Sequence, residues 1–343
     1  MGARVGPGDC ACASRHGPPI IRPNMPEFRR PGRPLKSSSA SKSDANPASL
    51  KLLRLKTAKR LSLRSRMGLL RHKAVDEELD DVERKLLEHE LAIAGELQAN
   101  LLPKKIPPLP GFELTAYYKP SREVGGDYYD FLELDADHVG ILVADVSGKG
   151  IPASIVMTET RALIKSEAVR TLSPSEAVVR VNRVLHQDIK RGMFVTMYYM
   201  ILSIPKRTLT VTSCGHNPMV IWRNGTNTCH LVNPGGLALG IDPGPFFEKT
   251  VKEQRIQLFE GDRFLIYTDG VVECMNSAGE ILGPNRLYTR VKQIASKNSS
   301  EFLSLLVAEM EAHQGSAPQH DDITIVTGRL LPPDPGETAV EGA

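Results

Sequence analysis

Between residues 195 and 232 four apolar runs follow one another almost without pause: 195–204, 207–213, 218–223 and 228–232. What separates them is short and polar, as in Pro205-Lys206 and Asn224-Gly225-Thr226-Asn227. A parallel strand pair needs a crossover of about a dozen residues or more, usually a helix, and none fits here. The spacing therefore predicts antiparallel pairing through this stretch. Further strands are expected near 112–118, 128–134, 138–145, 254–258, 263–268 and 322–329. Helical periodicity is expected near 150–170, 174–190, 284–296 and 299–314. Helices set apart from antiparallel strands give an α+β architecture rather than a doubly wound one.

Charge divides the chain. Residues 1–73 hold 17 Lys and Arg against 3 Asp and Glu, whereas residues 74–343 hold 26 against 37. The first part is rich in Pro, Gly and Ser, lacks an apolar signal core, and is expected to be a disordered basic tail. A basic helix over 50–73 would suit a membrane surface or a nucleic acid. A solvated tail is the favoured alternative, with no specific nucleic-acid partner. Residues 74–102 are expected to form one long linker helix. Val75, Leu79, Val82 and Leu86 step by four, three and four, with Ile93 continuing the seam. Leu87, Leu91, Ala94, Leu97 and Leu101 form a second stripe, and the change of stripe resembles a stutter in a coiled coil. Pro103 ends the helix. A folded domain is expected over 103–330, followed by a disordered tail at 331–343. No apolar run is long enough to span a membrane, and the protein is expected in the cytoplasm.

Four acidic stations stand out: Gly125-Gly126-Asp127, Ala144-Asp145-Val146-Ser147-Gly148-Lys149-Gly150, Tyr267-Thr268-Asp269-Gly270 and His320-Asp321-Asp322. The last three adjoin the apolar runs 140–144, 263–267 and 323–326. A carboxylate at the end of a buried strand is costly unless something pairs it. Several of them with no matching set of Arg or Lys imply a divalent cation, and an all-oxygen donor set favours Mg2+ or Mn2+ over zinc.

These stations are more specific than their composition. Val124-Gly125-Gly126-Asp127-Tyr128-Tyr129-Asp130-Phe131, the Asp145 segment, Phe194-Val195-Thr196-Met197, Cys214-Gly215-His216-Asn217-Pro218, Tyr267-Thr268-Asp269-Gly270-Val271-Val272-Glu273 and Asp321-Asp322-Ile323-Thr324 occur in one order over about residues 96–329. In that order they resemble the PPM (PP2C-like) metal-dependent Ser/Thr phosphatases, in the RsbU and SpoIIE branch that controls sigma factors. The resemblance implies two central antiparallel sheets sandwiched by helices. It implies hydrolysis of phosphoserine or phosphothreonine on a STAS-domain anti-anti-sigma factor by water activated between two Mn2+ or Mg2+ ions. It makes Asp145 the bridging ligand, Val146 a carbonyl ligand, and Asp127, Asp269 and Asp321 further metal ligands; Asp145, Asp269 and Asp321 are the expected catalytic set. It also implies that the linker helix supports a homodimer and answers to a regulatory protein.

Other residues carry two readings. Lys149 either holds the substrate phosphate or ends a turn with its amine in solvent. Asp322 is the runner-up ligand within its pair, and His320 a candidate proton donor to the leaving group. Strand alternation puts Asp130 opposite Asp127, at the surface or behind the ligands. Thr196 is expected to pack near the site. His216 and Asn217 read as a structural turn, and His186, His230 and His313 as surface residues. Cys10, Cys12, Cys214, Cys229 and Cys274 are odd in number and irregularly spaced, which fits reduced thiols. No Cys-x5-Arg or Ser-His-Asp set points to a covalent nucleophile. The competing function is a catalytically silent PPM-like module that docks a partner through its linker helix; the four intact aspartates argue for activity.

Overall fold

The computed structural model describes residue 81 and residues 83–332. The basic tail, Val75, Leu79, Val82 and residues 333–343 lie outside the described residues. Helix α1 (residues 83–99) leads into the domain. Ten strands follow, each within a few residues of its expected position: β1 (Phe112–Lys119), β2 (Tyr128–Glu133), β3 (His138–Val146), β4 (Val195–Ser203), β5 (Thr208–Cys214), β6 (Met219–Arg223), β7 (Thr228–Val232), β8 (Gln254–Gln257), β9 (Arg263–Tyr267) and β10 (Ile323–Leu330). Between them run α2 (Ile151–Ala168), α3 (Pro174–Asp188), the short α4 (Pro245–Thr250), α5 (Pro284–Ile294) and α6 (Ser299–Gln314).

The strands form two five-stranded sheets, β1-β10-β9-β6-β7 and β2-β3-β4-β5-β8. Every pairing is antiparallel. The run 195–232 does not stay in one sheet. β4 and β5 pair in the second sheet, and the chain then crosses to the first at Gly215, whose φ is +66°. A Cβ there would sit 3.1 Å from the backbone nitrogen of Ala238, so glycine suits both the turn and the close approach.

The layers follow from strand alternation. One face of β3 and β4 turns Ile141, Val143, Tyr198 and Met200 toward Ile221, Phe264, Ile266 and Val326 of the other sheet. The opposite face, with Leu142, Ala144, Met197 and Tyr199, packs on Met157 and Ile164 of α2 and Val178, Val181 and Leu185 of α3. The outer face of the first sheet buries Leu265, Tyr267 and Ile325 against Leu287 and Val291 of α5 and Phe302 and Leu306 of α6. A fully buried side chain of this size contributes about 1.5–3 kcal/mol, so each outer face needs its helical cover. Ser173 and Asn298 cap α3 and α6 by accepting the backbone N–H of Glu176 and Glu301 at 3.1 and 2.8 Å.

Helix α1 is attached by a polar latch. Gln98 is buried; its amide accepts the N–H of Gly125 at 2.9 Å and donates to the Gly125 carbonyl at 2.7 Å. Leu86, Leu87, Ile93 and Leu97 remain exposed. The two expected stripes thus do not divide cleanly: Leu97 faces outward, and a glutamine makes the buried contact.

Candidate metal centre

The four acidic stations meet at the seam between the sheets. Asp127 immediately precedes β2 and Asp145 lies near the end of β3, both in the second sheet. Asp269 follows β9 in a single 3-10 turn (Asp269–Val271), and Asp321 precedes β10, both in the first sheet. Gly270 makes the approach possible: a Cβ there would lie 2.0 Å from the carbonyl oxygen of Asp322.

Their electrostatics show the crowding. Burial, and then Asp145, hold the Asp127 carboxyl well above the usual carboxylate range. Burial raises Asp145 to about 7, with Asp269, Asp321 and Asp322 adding to the rise. Asp269 is raised to about 6 by burial, Asp321 and Glu273. Among the described residues one cation pairs with them: Lys149 Nζ lies 2.9 Å from Asp321 Oδ2 and donates to the His320 carbonyl. Asp127 Oδ2 accepts the hydroxyls of Thr268 and Thr324 at 2.8 and 2.6 Å, which aim the carboxylate without neutralising it. Among the described residues the buried Tyr118 hydroxyl finds no hydrogen-bond partner.

This donor set suits a hard divalent cation: oxygen only, anionic, and short of counter-charge. Among the described residues no three His, Cys, Asp or Glu side chains already converge on one point as a finished chelate. The carboxylates border a shared space, with Lys149 drawn to Asp321. The Val146 carbonyl faces the same loop, 3.1 Å from where a Cβ on Gly126 would stand.

Asp322 stands behind this ring. Its Oδ1 accepts the N–H and hydroxyl of Ser121 at 2.7 and 2.9 Å, and its Oδ2 accepts the N–H of Gly126 at 2.7 Å. It ties the start of β10 to the loop that carries Asp127. The His320 side chain is exposed. Thr196 Oγ1 is 3.5 Å from the Asp145 carbonyl and 2.8 Å from Nδ1 of His216. Burial pushes His216 down to about 4, keeping a neutral ring in this turn.

Asp130, expected at the surface or behind the ligands, is not at the surface. It is 3% exposed, bonded to the Tyr128 hydroxyl at 2.5 Å and paired with Lys165 of α2 at 2.8 Å. Alternation did separate it from the acidic cluster, but the face it occupies is covered by a helix. His186 is likewise half-buried, its Nδ1 2.8 Å from the Gly240 carbonyl. Gln98 and Ser121 lacked any distinguishing sequence pattern, and Thr268 and Thr324 lay inside quoted motifs without an assigned role; they matter because the fold puts them beside Asp127 and Asp322.

The profile of the family described as Stage II sporulation protein E (SpoIIE) matches residues 135–330. The chain belongs to the SpoIIE family. It is a PP2C-like protein serine/threonine phosphatase of the RsbU and SpoIIE branch. The SpoIIE-family chain is 29% identical over 243 residues to the phosphoserine phosphatase RsbU of Bacillus subtilis, covering 71% of this chain and 70% of that protein. It is 27% identical over 188 residues to the phosphoserine phosphatase RsbP of the same organism, covering 54% of this chain and 45% of that one. Its fold is similar to the SiaA-PP2C domain of Pseudomonas aeruginosa, with a TM-score of 0.64 at 22% identity, over 72% of this chain and 97% of that domain. Among the described residues no helix is long and apolar enough to cross a membrane.

The raised carboxylates of this SpoIIE-family site make a pH prediction for the metal-free protein. Unfolded aspartates titrate near about 4. Between there and about 7 and about 6 for Asp145 and Asp269, the folded state holds more protons than the unfolded chain. Their contribution to stability is therefore present at low pH and lost as pH rises through this window. The expected result is that chelator-treated Asp145→Asn gains denaturation midpoint over wild type as pH goes from 5 to 8. A stability difference independent of pH would contradict the coupling.

Proposed function

We propose that this protein hydrolyses phosphoserine or phosphothreonine on a STAS-domain anti-anti-sigma factor in the cytoplasm, using two Mn2+ or Mg2+ ions. The observation that carries this is that Asp127, Asp145, Asp269 and Asp321, brought from two sheets, act on one another as charge neighbours, with Lys149 paired to Asp321. Asp145 has three of the other acidic groups as charge neighbours besides Asp127, which suits it to the bridging position. Asp127, Asp269, Asp321 and the Val146 carbonyl would complete the ligand set. When bound, the ions supply an activated water at neutral pH and offset charge on the phosphoryl oxygens.

The chain's own groups orient and exclude. Thr268 and Thr324 fix the rotamer of Asp127, Asp322 holds its loop, and Thr196 reaches the backbone of Asp145. Lys149, already between Asp321 and the His320 carbonyl, is placed to meet a phosphate oxygen once a cation relieves Asp321. His320, on the same rim, is the candidate proton donor to the departing serine or threonine oxygen. The test is release of phosphate from a phosphorylated STAS protein by the full chain with Mn2+ or Mg2+. Turnover that appears with either ion and stops with chelator is expected; turnover unaffected by chelator would defeat the metal assignment.

The exposed Leu86, Leu87, Ile93 and Leu97 support homodimerisation through α1. A closed two-fold pair is the commonest use of such a surface. It also leaves room for a regulatory protein to act on the helix, whose Gln98 contacts the Asp127 loop. Light scattering at micromolar concentration is expected to give a dimer for wild type and a monomer for Leu86→Glu/Leu97→Glu. Unchanged mass in the double variant would reduce the helix to a cap.

A further inference from the structure

The turn from α3 to β4 forms a basic recess at the edge of the site. His186, Ile189, Lys190, Arg191, Met193 and Phe194, with Gly240 and Ile241, line an open cavity of about 390 Å3. Lys190 and Arg191 are exposed. Among the described residues neither makes an ion pair. Asp188, two residues before Lys190, lies beside Glu159 and, among the described residues, forms no ion pair with Lys190 or Arg191. Asp242, beside His186, spends Oδ1 on the N–H groups of Gly244 and Phe247.

The recess is joined to the acidic cluster by backbone. The Phe194 carbonyl accepts the N–H of Ser147 at 2.9 Å, and the Ser147 hydroxyl accepts the N–H of Phe194 at 2.9 Å. Ser147 is two residues beyond Asp145, and Asp145 pairs with Thr196 across the same ladder. That backbone link sets the recess beside the strand end that carries Asp145.

We propose that this recess is a specificity subsite for an acidic side chain flanking the phosphorylated residue of the protein substrate. The proposal rests on the phosphatase reading above. Lys190 and Arg191 supply the charge, while Ile189, Met193, Phe194 and Ile241 give the recess an apolar wall. An acidic substrate approaching an acidic domain needs such a patch to set its register, and complementary charge acts on encounter and specificity.

The test compares synthetic phosphoserine peptides flanked by Asp or by Lys, with p-nitrophenyl phosphate as a flank-free control, on the full chain with Mn2+. Wild type is expected to favour the Asp-flanked peptide about tenfold in kcat/KM, through KM, and less at high ionic strength. Lys190→Glu/Arg191→Glu is expected to reverse that preference and leave p-nitrophenyl phosphate turnover unchanged. Turnover of p-nitrophenyl phosphate with no peptide preference, or a preference that survives the double variant, overturns the subsite alone. Absence of turnover on every substrate overturns the phosphatase reading, and the subsite with it.

Discussion

Asp145→Asn is expected to lower Mn2+-dependent hydrolysis of p-nitrophenyl phosphate by at least about 10^3-fold, because a bound cation's charge stabilisation is worth several kcal/mol. The same variant is expected to fold normally and to resist denaturation better than wild type without metal at pH 8. Asp145 sits where β3 ends, with Asp269, Asp321 and Asp322 as charge neighbours and Asp127 at hydrogen-bonding distance. An amide keeps the shape and the strand register with Thr196 while removing the most crowded negative charge. Loss of rate coupled to gain of stability distinguishes a spoiled site from a spoiled fold. Near wild-type turnover would remove Asp145 from the centre of the chemistry. Asp269→Asn and Asp321→Asn are expected to follow it, and Asp130→Asn to be milder, since Asp130 pairs with Lys165 on the other face of its sheet.

Arg263→Ala is expected to destabilise the domain by about 3 kcal/mol or more, the range for breaking a buried polar network. For a domain of this size that is about 6–12 °C in Tm. Arg263 opens β9 and is 1% exposed. Its guanidinium donates to the carbonyls of Ala295 and Lys297 at 2.9 and 2.6 Å and to the hydroxyls of Ser299 and Thr327 at 3.2 and 3.3 Å. It also lies 4.3 Å from the centre of the Phe302 ring. Alanine strands the carbonyls that end α5 and leaves a hole beneath α6. Arg263→Lys is expected to recover only part of the loss, because an ammonium cannot serve those diverging acceptors at once. Below its lowered Tm the alanine variant is expected to keep its activity, since Arg263 lies at the opposite end of β9 from Asp269. Thermal unfolding followed by circular dichroism, with a turnover assay at low temperature, checks both halves; an unchanged Tm would show that water replaces the guanidinium at no cost.

Arg263 also marks the limit of what could be read from the chain. In the sequence it is a charge at the border of an apolar run, with nothing to say that helix ends would close over it. Strands were legible because alternation and apolar runs are local properties, and the antiparallel expectation for 195–232 rested on loop length alone. The division of that run between two sheets was not legible, since a turn such as Cys214-Gly215-His216 does not declare which layer receives the next strand. Helix α4, six residues after Gly244, is too short for a periodicity to register. At the site, Asp145, Asp269 and Asp321 stood out by joining a buried strand, and Asp127 by the two glycines before it. The groups that aim them, Thr268, Thr324, Ser121 and Gln98, are common polar residues whose partners are 27 to 201 positions away. Asp130 was misplaced for the same reason: alternation gives a side, but whether a helix covers that side is a tertiary fact.

The acidic ring is split evenly, with Asp127 and Asp145 on one sheet and Asp269 and Asp321 on the other. Each sheet brings two of the four proposed ligands. A cation gripped by both halves would be a rivet through the sandwich, drawing its affinity from the closed layers and returning it as resistance to their parting. Slippage of one layer against the other would be felt first as a loosened ion, before any of the oily interface between them had been wetted.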